Sequence, residues 1–104
     1  MRASVPVACT LSEPELRARR AGLLADVRNG VRERRRIRGG WAFRFPPEAR
    51  WLEVLAGLTA VERECCRFLR FRLTAEPEGG PLWLEVTGLR GTARFVEYEL
   101  GLAA

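Results

Sequence analysis

The 104-residue chain contains no histidine and no lysine. Without histidine there is no Ser-His or Cys-His catalytic pair and no imidazole metal ligand. The commonest general base near neutral pH is missing as well. No stretch approaches the roughly 18 consecutive apolar residues of a membrane-spanning helix, and Met1–Pro6 lacks the apolar run of a signal peptide. A cytoplasmic protein that does not enter the membrane is therefore expected. The three cysteines form no C-x-x-C pair, so a four-thiolate zinc site cannot be assembled within one chain. An odd count also argues against a closed disulfide framework and for reduced thiols. No linker or low-complexity segment divides the chain, and its length suits one domain spanning residues 1–104.

All 18 cationic residues are arginine, against 13 acidic ones, giving a formal net charge of +5. Exclusive arginine reads first as a coding bias of a GC-rich genome and second as selection for anion recognition, where a planar guanidinium outperforms an ammonium.

The hydrophobic pattern gives an order of elements. Val5–Leu11 is short, apolar and β-prone, a first strand. Ser12-Glu13-Pro14-Glu15 has the form of a capping box opening a helix to about Val27, with Leu16, Leu23, Leu24 and Val27 inward and Arg17, Arg19 and Arg20 toward water. Asn29-Gly30 ends it. Val31–Ile37 and Trp41–Phe45 read as a hairpin around Gly39-Gly40, with Trp41, Phe43 and Phe45 on one face. Pro46-Pro47-Glu48 opens a central helix whose stripe is Val54, Leu58, Val61, Cys65 and Phe68, flanked by Trp51, Leu55 and Leu69. Phe71, Leu73 and Ala75 alternate along a strand that turns at Pro77–Pro81 into Leu82–Thr87. A short last helix, roughly Thr92 to Leu100, turns Ala93, Val96 and Leu100 inward. The order β-α-β-β-α-β-β-α predicts an α+β fold, a mostly antiparallel sheet with helices packed on one face. Hairpin followed by helix occurs twice, a weak hint of a repeat.

Chemistry concentrates at Glu62–Phe71. Glu62 lies one turn before the adjacent Cys65 and Cys66 and so beneath both. Cys65 falls on the apolar stripe, whereas Cys66, about 100° further round, is expected at its margin. Both could serve as small buried hydrophobes. They could equally bind a thiophilic ion such as Hg(II), Cu(I), Cd(II), Zn(II) or trivalent arsenic, with Cys9 as a third thiolate and Glu62 in support. Arg63, Arg67 and Arg70 would lower the thiol pKa values, and a position near the helix C-terminus would raise them. A vicinal disulfide is the redox alternative.

The segment Glu-Arg-x-Cys-Cys-x-Phe-Leu-x-Phe resembles the signature of a small bacterial family associated with heavy-metal resistance gene neighbourhoods. The opening around Cys9-Thr10-Leu11 and the Trp41–Phe45 strand are similar too. The family motif has proline after the second cysteine, where this chain has Arg67. The resemblance implies binding of a thiophilic metal through Cys65, Cys66 and Cys9.

A second constellation is Arg32, Arg34, Arg36 and Arg38, which share one side of the hairpin. They predict either a charged, solvated edge strand or a basic module that tracks a nucleic-acid backbone. A small enzyme with a cysteine nucleophile or Glu62 as base is a third reading. The outward Trp83 and Arg72 suggest a surface that a homodimer would cover.

Overall fold

A computed structural model describes residues 13–102, so the expected strand Val5–Leu11, together with Ser12 and Cys9, lies outside the described residues. Within them the order is α1 (Pro14–Gly30), β1 (Glu33–Ile37), β2 (Gly40–Phe45), α2 (Ala49–Cys65), β3 (Leu69–Ala75), β4 (Leu82–Gly88) and α3 (Thr92–Tyr98). The four strands form one antiparallel sheet ordered β1-β2-β4-β3. The class is α+β. No helix of the described residues is long and apolar enough to cross a membrane.

The sheet arises from two hairpins. In the first, Ile37 pairs with Gly40 across the turn residues Arg38 and Gly39. Gly39 has φ of +81°, a region costly for any residue with a Cβ. Gly40 is constrained differently, because a Cβ there would lie 1.8 Å from the Val86 carbonyl oxygen. The β2–β4 register sets Trp41 opposite Val86, Phe43 opposite Leu84 and Phe45 opposite Leu82. Opposite residues point to the same face, so the alternation of both strands converges on one apolar surface. Phe43, Phe45, Leu84 and Val86 are fully buried there. Burial of each such side chain contributes about 1.5–3 kcal/mol.

The helices cover that face. Phe45 packs against Trp51 of α2, with ring centroids 5.8 Å apart. α3 lies over β2 and β4, where Trp41 Nε1 donates to the Ala93 carbonyl at 3.2 Å. α1 packs chiefly along α2 and runs antiparallel to it. Arg20 meets Glu62, Leu23 approaches Gly57, and Gly30 lies beneath Trp51. The start of α1 is thereby directed to the C-terminal end of α2.

Several details differ from the sequence expectation. Glu13 occupies the N-cap of α1 and makes no side-chain capping bond, while Ser12 of the expected capping box lies outside the described residues. Along α2 the buried positions are Trp51, Leu55, Leu58, Val61, Glu62 and Cys65. Val54 is only half-buried, and Phe68 lies beyond the helix, where it packs edge-on against Phe95 with ring centroids 4.9 Å apart. Leu73 does face the helices' side but remains 38% exposed, because β3 is an edge strand.

A candidate dithiol–carboxylate site

The site forms where α2 gives way to β3. The last helical residue is Cys65. Cys66 leaves helical geometry, with φ of −118° and ψ of 71°, although its amide still donates to the Glu62 carbonyl at 2.6 Å. Leu69 N then bonds the Cys66 carbonyl at 3.1 Å, closing the turn that launches β3. This break changes the expected position of Cys66. Had the helix continued, its side chain would lie at the margin of the stripe; the turn brings it inside, and it is fully buried.

The Cys65 and Cys66 sulfurs are 3.4 Å apart and unbonded. Glu62 is fully buried one turn earlier, and one carboxylate oxygen and the two sulfurs all lie within 4.8 Å of one another. The sequence places these three residues on one region of the helix, and the fold holds them together in its interior.

A buried carboxylate needs a partner, and α1 supplies it. Arg20 Nε reaches Glu62 Oε2 at 2.5 Å, and Nη2 reaches Oε1 at 3.4 Å. The arginine side chain is 18% exposed, so the pair joins the site to the surface. Arg20 was expected to face water with Arg17 and Arg19. Its spacing holds the missed signal: it falls three and four residues from Leu16, Leu23 and Leu24, on the stripe that meets α2.

Electrostatics settles the opposing influences on Cys66. Burial pushes the Cys66 thiol far above its ordinary range; the nearby Glu62 charge and the hydrogen bond with Cys65 add to the rise. Arg63 and Arg67 are exposed and do not overcome burial. Cys66 is thus held as a protonated thiol at neutral pH.

The hairpin arginines are placed otherwise. Arg34 and Arg36 lie opposite Phe43 and Trp41, hence on the helix-covered side of the sheet. Arg34 Nε donates to the Leu102 carbonyl at 2.7 Å, Arg36 to the carbonyls of Ile37 and Gly40, and Arg32 to that of Asn29 at 3.0 Å. Three members of the row are therefore engaged in holding backbone, and Arg38 alone has no hydrogen bond or ion pair among the described residues. The opposite face carries Glu33, which binds Arg35 at 2.5 Å and Arg44 at 3.1 Å and whose carboxyl is held below the usual range by those bonds. Arg35 also stacks 4.8 Å from the Trp83 ring.

No protein-family model matches the sequence, and neither a curated protein nor a solved structure matches it. The functional reading rests on the site's own chemistry.

Proposed function

We propose that the protein binds a thiophilic metalloid or soft metal ion through Cys65 and Cys66, with Glu62 beside them. The observation that carries this reading is the buried convergence of two thiols and a carboxylate within 4.8 Å. Buried cysteines alone need no carboxylate, and burying Glu62 costs free energy that hydrophobic packing would avoid. The chemistry requires reduced thiols, which fits a cytoplasmic setting.

The sulfur spacing narrows the ligand. With sulfurs 3.4 Å apart, bonds of about 2.3 Å to a shared ion would meet at roughly 95°. That angle suits a pyramidal three-coordinate centre such as trivalent arsenic. It is narrower than a tetrahedral zinc angle and far from linear two-thiolate mercury.

The raised pKa of Cys66 points the same way. A bare cation must drive each thiol proton into solvent. A trivalent metalloid hydroxide instead carries its own base: each S–H proton leaves with one hydroxyl as water while one sulfur–metalloid bond forms, without change of oxidation state. In this proposal Glu62, with a carboxylate oxygen within 4.8 Å of both sulfurs, relays that proton. A cysteine nucleophile, by contrast, needs the thiolate that this environment suppresses.

A third thiolate would complete the centre, and Cys9 is its source in this proposal. It stands four positions before Glu13, a reach of at most about 14 Å. The test is titration with arsenite under reducing conditions, followed by calorimetry and metal analysis of the isolated complex. One equivalent should bind to the wild type. The double substitution Cys65→Ser, Cys66→Ser should abolish binding, and Cys9→Ser should weaken it. Unchanged affinity in the double variant would refute the site; unchanged affinity in Cys9→Ser alone would refute the third ligand.

A further inference from the structure

The end of the sheet opposite the β3–β4 turn gathers arginines from four separate segments. Arg36 and Arg38 come from the first hairpin, Arg70 from β3, Arg90 from the loop after β4, and Arg94 from α3. They line two adjoining depressions of about 340 and 480 Å³. Gly39, Gly88 and Leu89 contribute to both, and the Gly88 amide donates to the Gly39 carbonyl at 3.1 Å, forming a low backbone ridge between them. Among the described residues, no carboxylate lines either depression.

Two other groups of arginines in the molecule are matched by carboxylates. On the open sheet face Glu33 neutralises Arg35 and Arg44. On the helix side Glu62 pairs with Arg20. At the ridge, Arg38, Arg70 and Arg90 are exposed and have no hydrogen bond, ion pair or ring contact among the described residues. Arg36 is anchored to the Gly40 carbonyl, and Arg94 lies over the Tyr98 ring at 5.3 Å. Concentrating like charges without counter-charges costs stability unless an anion is bound.

We propose that this ridge binds the phosphodiester backbone of duplex DNA without reading its sequence. Two basic depressions flanking a side-chain-poor ridge suit successive phosphates better than one isolated anion. Phe68, the aromatic residue lining the second depression, is buried and cannot serve as a stacking platform for unpaired bases. Leu89 is the exposed large apolar residue of the two linings, too little apolar surface to anchor the protein on a lipid interface.

The test is fluorescence-anisotropy titration of a labelled 20-base-pair duplex across a salt series. The three unpaired arginines predict a slope of log affinity against log salt of about −3. Arg70→Ala with Arg90→Ala should reduce its magnitude by about 2 and weaken binding at low salt at least about tenfold. Arg17→Ala with Arg19→Ala removes the same charge from α1 and should leave the slope unchanged. Equal losses in the two pairs would overturn the site in favour of diffuse charge. Tighter binding to the single strand than to the duplex, or binding to phosphatidylserine vesicles without binding to DNA, would also overturn it.

Discussion

Replacing Arg20 by alanine should cost more stability than replacing Glu62 by glutamine, although both changes break the same ion pair. The reason is the unequal burial of the partners, 18% exposure for the arginine side chain and none for the carboxylate. Without Arg20, the Glu62 charge remains in the interior beside two thiols. Breaking a buried pair in this way costs about 3 kcal/mol at the lower end of the usual range. Without the carboxylate charge, Arg20 can turn its guanidinium to water, and the glutamine amide retains part of the hydrogen bonding. That loss should be about 1 kcal/mol. In urea, with a slope of roughly 1.5 kcal/mol per molar, the Arg20→Ala midpoint should fall by about 2 M and the Glu62→Gln midpoint by less than about 1 M. The double variant should be more stable than the sum of single losses predicts, because the glutamine removes the charge that Arg20→Ala strands. Equal costs, or strict additivity in the double variant, would refute the claim that Glu62 is held as a buried charge by Arg20.

The Cys66 thiol gives a prediction at high pH. Its pKa is raised from an ordinary 9.0 in the native fold, so above that pH the unfolded chain loses a proton that the folded chain keeps. Stability should therefore decline as pH rises past 9.0. Cys66→Ala should flatten that decline in urea melts at pH 8 and 10, and an equally steep decline would contradict the assignment. Gly30→Ala tests the α1–α2 contact. A Cβ would come within 2.3 Å of the Trp51 ring, and the resulting overpacking of about 1–3 kcal/mol should outweigh a helix-propensity gain of about 1 kcal/mol. A rise in melting temperature would show that the indole moves aside freely.

Much of the fold was legible because two strands alternate cleanly. Trp41, Phe43 and Phe45 face the same side as Leu82, Leu84 and Val86, and the structure pairs them directly. The clustering of Glu62 with Cys65 and Cys66 also followed from helical spacing. Arg20 did not, because its partner is 42 residues away and local charge suggested only solvent. Nor did the inward turn of Cys66, which depends on the helix ending at Cys65 instead of running on to Phe68. The arginine ridge was partly visible as Arg36 and Arg38. Arg70, Arg90 and Arg94 join them through sheet topology, which no local pattern encodes.

Among the described residues the sheet ends on β1 and β3. The first carries Arg34, Arg35 and Arg36 in succession, and the second carries Arg70 and Arg72. A second copy adding its own edge to either strand would bring guanidinium against guanidinium along the new seam. Charge along both edges thus acts as a boundary marker, discouraging growth of the sheet into an extended array of like molecules.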